Sequence, residues 1–243
     1  MRLDGKVVVV TGAESGIGRQ VALSCAAEGA MVISAGLDEA GLAETVRMGA
    51  ALAQVADIRD RPAVSGLMRL AQERFGRLDA VVANAGVTLP RKPVLEISDA
   101  EWDFILSVNL TGTCNTVIAA ARALVAQGNG GSIIATGSST VLRGMTGLTP
   151  YVVAKSGVHG LMRQLASELA PHRIRVNTLV PGTTATPLAQ AIPGHLEAAA
   201  AALPMGEVVD PEELGRYVAF ALSDALPHMT GALLCVDSGR TVA

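Results

Sequence analysis

Val7-Val8-Val9-Val10-Thr11-Gly12-Ala13-Glu14-Ser15-Gly16-Ile17-Gly18 decides the fold of this chain. Four consecutive β-branched residues favour a short strand buried on both faces. Glycines at 12, 16 and 18 then permit a tight turn, and let backbone amides approach a pyrophosphate at the N-terminus of the following helix. The spacing is not the GxGxxG of the common dinucleotide fingerprint, and such a loop alone could be only a sharp strand-to-helix turn. Its place after the first strand of an alternating chain points to a nucleotide site.

Outward from this stretch, short apolar runs alternate with helix-length segments. Val32–Ser34, Leu52–Val55, Leu78–Val82, Ser132–Ala135, Ile174–Leu179 and Leu233–Val236 join Val7–Val10 as seven expected strands. Strands separated by helices predict βαβ units: an α/β fold with a single Rossmann-type, doubly wound parallel sheet of about seven strands. No linker, low-complexity run or repeat divides residues 1–243, so one domain is expected. Thr183–Gly206 interrupts the alternation. Its Pro187, Pro193 and Pro204 break a small-residue stretch, which reads as a helical substrate flap.

Composition narrows the class. Half of the residues are hydrophobic but only 2% are aromatic, so the core is built from Val, Ala, Leu and Ile. The net charge is -3 and no Lys/Arg cluster occurs, which argues against a nucleic-acid or membrane partner. Cys25, Cys114 and Cys235 lie far apart in apolar segments, with neither a metal spacing nor a disulfide framework. Buried thiols in a reducing compartment and no metal site are expected. The opening MRLDGKVVVVTG is neither a signal peptide nor a span, so a soluble cytoplasmic protein is expected.

Tyr151 and Lys155 stand four residues apart in a helical segment, which puts both side chains on one face. A phenol, with an ordinary pKa of about 10, exchanges few protons at neutral pH. A fixed ammonium beside it favours the phenolate. Against this stands the plainer reading of a half-buried Tyr with a solvated Lys. Ser138 follows a strand end, where open α/β sheets bind ligands, and its hydroxyl could stabilise charge on a substrate oxygen. It could equally be a turn former, and Ser139 competes with it. Asn109, in an apolar helical segment, needs its amide satisfied and reads as a bridge between two elements.

Taken together, TGxxxGIG at Thr11–Gly18, NAG at Asn84–Gly86, the lone Asn109, Ser138 thirteen residues before Tyr151, YxxxK, Pro181-Gly182 and TGALLCVDSG at Thr230–Gly239 resemble the short-chain dehydrogenases/reductases. The resemblance covers essentially the whole chain, and the joint order of the motifs is far more specific than any one of them. It implies an oxidoreductase that moves a hydride between a nicotinamide cofactor and a secondary alcohol or ketone. Tyr151 would be the general acid/base and Ser138 would hold the substrate oxygen. Lys155 would tune Tyr151 and hold the nicotinamide ribose, and Asn109 would order a proton-relaying water.

The same resemblance implies a cofactor lining. Gly12, Ser15, Gly16, Ile17 and Gly18 would meet the pyrophosphate, Gly36 and Leu37 the adenosine ribose, and Asp57 and Ile58 the adenine. Asn84, Ala85 and Gly86 would run beneath the dinucleotide, with Asn84 mainly tying neighbouring strands together. Tyr151, Lys155, Pro181, Gly182, Thr184 and Thr186 would surround the nicotinamide end. An acid at the end of strand two would read the ribose 2′-hydroxyl, but that position is Gly36. Asp38 could serve if the turn were displaced. Glu14 would oppose a 2′-phosphate, and no Arg or Lys occupies Ser15, Gly36 or Leu37. NAD is therefore favoured over NADP.

The substrate pocket is expected from Thr140, Leu142, Leu148, Thr183 and the Leu188–Ala202 flap, near the Leu89–Leu95 loop. No convergent pair of cations is legible, and Arg91 and Lys92 read as solvated loop charges that an anionic group could nevertheless use, so a modest, fairly apolar ketone is expected. An NADPH-dependent 3-oxoacyl-thioester reductase is the alternative enzyme, and a non-catalytic dinucleotide sensor the alternative of another class. The full Ser–Tyr–Lys–Asn set weighs against the sensor. Apolar surface around Asn109–Ala126 and Tyr151–Leu169, together with the resemblance, implies a homotetramer or homodimer.

Overall fold

In the computed structural model, which describes residues 3–243 apart from the side chain of Leu188, strand β1 (Val7–Thr11) is buried along its whole length. Its side chains alternate between two cores, as the period of two requires. Val7 and Val9 pack in one core, against Leu67, Val117, Leu124, Val158 and Met162. Val8 and Val10 pack in the other, against Val21, Leu42, Leu214 and Val218. Each such aliphatic side chain contributes roughly 1.5–3 kcal/mol on burial, so four valines in a row commit this segment to the sheet centre.

The other strands are β2 (Met31–Gly36), β3 (Leu52–Val55), β4 (Ala80–Ala83), β5 (Gly131–Thr136), β6 (Ile174–Pro181) and β7 (Leu233–Val236). They form one parallel sheet in the order β3-β2-β1-β4-β5-β6-β7. All seven expected strands occur. β4 begins at Ala80 rather than Leu78, because the Gln127 side chain takes both backbone groups of Leu78, at 2.8 and 2.9 Å. The chain winds outward from β1 to β3, then crosses back to β4 beside β1. That reversal opens a crevice at the C-terminal ends of β1 and β4, where doubly wound sheets bind ligands.

Helices α1 (Gly16–Ala27), α2 (Glu39–Arg47), α3 (Arg61–Phe75), α4 (Asp99–Leu106), α5 (Thr113–Gln127) and α6 (Thr149–Leu169) cover the sheet. The flap carries two short helices, α7 (Pro187–Gln190) and α8 (His195–Ala201), before α9 (Pro211–Leu222). Leu188, expected in the pocket, has its side chain outside the described set.

The segment around Asn109 is not a plain α-helix. Ser107–Gly112 is a π-turn joining α4 to α5. The joined run Asp99–Gln127 is long and apolar enough to cross a membrane, at a mean hydropathy of 1.4, but 56% of that window is buried inside the protein. The cysteines depart from expectation: Cys25 is buried, Cys114 half-buried and Cys235 exposed. Cys235 lies on β7, an edge strand whose alternate side chains face outward.

Candidate active site

Tyr151 and Lys155 lie one turn apart on α6, above the ends of β4 and β5. Lys155 is 3% exposed, and its Nζ donates to the Thr136 carbonyl at 2.7 Å. That ammonium sits 5.8 Å from the centroid of the Tyr151 ring. Burial lowers the Lys155 pKa to about 8. The phenol does not follow the expected depression. Burial raises Tyr151 above the usual tyrosine value, and hydrogen bonding from Ser138 opposes it only in part. Desolvation penalises the phenolate more than the protein's own groups stabilise it.

Ser138 follows β5 and is 6% exposed. Its Oγ lies 2.9 Å from Thr140 Oγ1 and accepts from the Thr140 N–H at 3.2 Å, which fixes the rotamer. The Ser138 N–H donates to His159 Nε2 at 3.4 Å. His159 is held toward its neutral form by burial, then by Lys155 and Arg163, so Nε2 can keep a lone pair. His159 was not expected here, although its spacing gave a signal: 151, 155 and 159 share one helical face. Ser138 lines the cleft and Ser139 does not.

Asn109 is fully buried in the π-turn. Its Nδ2 donates to the carbonyls of Val87 (2.9 Å) and Ile105 (3.2 Å), and its Oδ1 accepts from the Val87 N–H at 3.1 Å. The amide is therefore spent on tying the loop after β4 to the helix, the bridging role read from the sequence. Asn84 Nδ2 donates to the carbonyls of Thr11 (3.2 Å) and Gly12 (3.3 Å), while its Oδ1 accepts from Thr136 Oγ1 at 3.1 Å. Three strand ends are pinned by one side chain.

These groups lie in a cleft of about 420 Å³ that runs from the glycine loop to Ser138 and Tyr151. Every residue expected at the cofactor lines it except Gly18. Gly18 is buried behind the loop, where a Cβ would overlap the Gly12 carbonyl, and so it permits close helix–strand packing instead. Gly12 itself has φ +67°, a conformation that side chains other than glycine's rarely adopt.

At the far end of the cleft, Arg59 grips Asp57 with Nε at 3.1 and 3.0 Å and Nη2 at 2.6 Å, holding that carboxyl below its usual range. Asp38 does not turn in. Its carboxylate accepts from the Ala40 N–H at 3.1 Å and caps α2. The Glu14 carboxylate lies against Gly36 instead, where a Cβ would overlap its Oε2, and Oε1 accepts from the Leu37 N–H at 3.4 Å.

The substrate side differs from expectation. Lys92 pairs with Glu101. Arg91, however, joins Arg143 and Arg240 around a second cavity of about 290 Å³ beside the flap, with Thr183, His195 and Leu203. Convergent cations do exist. They were illegible because the loops that bring them together are far apart in the chain. Among the described residues, no three of His, Cys, Asp and Glu gather as a metal set.

A family model described as Enoyl-(Acyl carrier protein) reductase matches residues 12–241. Rat (3R)-3-hydroxyacyl-CoA dehydrogenase is 38% identical over 98% of this chain and 97% of its own. The 3-oxoacyl-[acyl-carrier-protein] reductase FabG of Thermotoga maritima is 33% identical over the full length of both. The crystal structure of carveol dehydrogenase from Mycobacterium avium in complex with NAD superposes with TM-score 0.92 at 32% identity, covering 100% of this chain and 99% of that one. With a seven-stranded doubly wound sheet and likeness along its whole length, this chain belongs to the short-chain dehydrogenase/reductase family and is an NAD(P)-dependent oxidoreductase.

Proposed function

We propose that the chain interconverts a secondary alcohol and a ketone with NAD, Tyr151 moving the proton. The observation that carries this reading is the meeting of Ser138, Tyr151 and Lys155 at one end of a cleft whose other end is the glycine loop. The lining fits a dinucleotide: a helix N-terminus for the pyrophosphate, Arg59 and Asp57 at the adenine end, and the buried ammonium near the nicotinamide ribose. When bound, the nicotinamide supplies the hydride chemistry and, oxidised, a positive charge that favours the phenolate.

Ser138 Oγ donates to the substrate oxygen and stabilises its developing charge. Tyr151 Oη takes the proton from the alcohol, or returns it to the ketone oxygen. Lys155, anchored on Thr136, holds positive charge near that phenolate. Asn109 keeps the Val87 loop against the helix, and a water ordered beside it would carry protons away from Lys155. Loss of turnover with retained cofactor binding in Tyr151→Phe is the test.

The preference for NAD rests on Glu14. Gly36 offers no side chain at the end of β2, yet a carboxylate reaches that place from the glycine loop. Arg19 fixes the loop by donating to the Glu14 and Gly41 carbonyls, and its Nε meets Thr45 Oγ1 at 3.1 Å. Glu14 lines the cleft, with its Oε2 buried against Gly36 and without a hydrogen-bond partner in the protein. A ribose 2′-hydroxyl can donate to this carboxylate, whereas a 2′-phosphate is repelled. Glu14→Gln should shift the NADPH-to-NADH affinity ratio about tenfold toward NADPH, read by fluorescence titration. An unchanged ratio would remove Glu14 from cofactor choice.

The likeness to FabG favours a second reading, an NADPH-dependent 3-oxoacyl-thioester reductase. The acid beside Gly36 weighs against its cofactor. We also place the protein in the cytoplasm, which suits its three free thiols. Ile118 on α5 and Val153 on α6, 37% and 42% exposed, support a homodimer or homotetramer built on these helices. Light scattering should give two or four times the chain mass, and a monomer at micromolar concentration would count against this assembly.

A further inference from the structure

We propose that Arg91, Arg143 and Arg240 form an anion subsite that holds a carboxylate of the substrate. The three guanidinium groups come from three distant loops and line one cavity. Arg240 is fixed from several sides. Its Nη1 donates to Thr183 Oγ1 at 2.6 Å, and its carbonyl accepts from Arg143 Nη1 at 2.8 Å. Arg240 and Arg91 also place Nη2 against Met145 Sδ, at 3.7 and 3.6 Å. Arg240 Nε is buried without a partner.

Among the described residues, none of the three arginines takes part in an ion pair. Burial lowers Arg240 from its usual range, Arg143 and Arg91 push the same way, and Asp237 opposes them. Asp237 is already committed, with its two oxygens accepting the N–H groups of Gly239 (3.1 Å) and Thr241 (3.0 Å). Half-buried Arg240 thus gathers with the exposed Arg91 and Arg143 at one cavity, three positive charges facing Asp237, an excess that a bound anion would balance. A planar guanidinium fork matches a carboxylate in two-point geometry.

The position says whose carboxylate it is. Thr183 directly follows Pro181-Gly182, and Arg143 lies on the segment leaving Ser138. Arg91 packs over Gly147, four residues before Tyr151. The subsite therefore stands on the same segments as the reacting groups, and a substrate with its carbonyl at Ser138 would extend its acid toward the arginines. This assignment rests on the oxidoreductase reading above. The cavity, about 290 Å³, suits a compact acid better than a nucleotide thioester.

The test is calorimetric titration of the NADH complex with benzoate, benzamide and coenzyme A. Benzoate should bind about tenfold tighter than benzamide, and Arg143→Gln and Arg240→Lys should each narrow that ratio. Equal affinity for acid and amide, a ratio unchanged in both variants, or arginine-dependent binding of coenzyme A alone would overturn the proposal. The probes carry no reducible ketone, so binding is judged apart from catalysis. Ketone-bearing carboxylates of graded length are assayed in parallel. Arginine-dependent binding with no turnover of any of them would sink the redox reading and uphold the subsite.

Discussion

Tyr151→Phe should cut turnover by about 10²–10⁴-fold, the span a single proton-transfer group supplies, and leave dinucleotide affinity almost unchanged. Phenylalanine keeps the ring, its packing on α6 and the neighbouring Ser138–Thr140 contact, and removes only the phenolic oxygen. Ser138 can still orient a carbonyl, but no group remains to give or take its proton. Steady-state rates in both directions, paired with NADH fluorescence titration, separate the two effects. Turnover within tenfold of the wild type would mean that another acid does the work.

Lys155→Met should likewise cost about 10²-fold or more in rate, and it carries a stability signature of its own. The folded-state pKa of Lys155 is lowered from 10.5 to about 8, with burial as the cause. Between those values the unfolded chain binds more protons, so this group raises stability as pH climbs from about 8 to 10.5. Below pH 8 the buried ammonium is a cost on the order of 3 kcal/mol, offset in part by its bond to the Thr136 carbonyl. Cys25, raised to about 12 by burial, contributes the opposite slope above its ordinary value of 9. Tyr151, also raised, does the same above 10. The difference between wild type and Lys155→Met isolates the lysine. Urea midpoints at pH 8 and pH 10 should diverge less favourably for the variant as pH rises, and parallel midpoints would show that Lys155 is not buried as a charge.

The two variants together separate chemistry from architecture. Both lose rate, but between pH 8 and 10 only the lysine change alters the pH dependence of folding, because the slope from Tyr151 begins above 10. A group held at such a cost is expected where function requires a poised ammonium.

Much of this molecule was legible in the chain itself. Val7–Val10 specified a central strand because a run of β-branched residues can be buried on both sheet faces. The 151/155 pair shares a helical face because 3.6 residues make a turn, and both rules act over a few residues. Where tertiary packing intervened, local rules gave way. Ser107–Gly112 became a π-turn while Asn109 bridged to Val87. Asp38 spent its carboxylate capping α2. Tyr151 was shifted upward by desolvation that no single spacing reveals.

The sequence by itself determined the sheet, its winding and the shared helical face of Tyr151 and Lys155, since alternation and short spacings encode them. Only the tertiary structure decided that Glu14 fills the place beside Gly36, that Gly18 packs behind its loop, and that Arg91, Arg143 and Arg240 face one cavity. The physical reason is distance along the chain. Parallel strands deliver loops that are tens of residues apart to the same sheet edge, and charges brought together there interact through space with no trace in the local pattern.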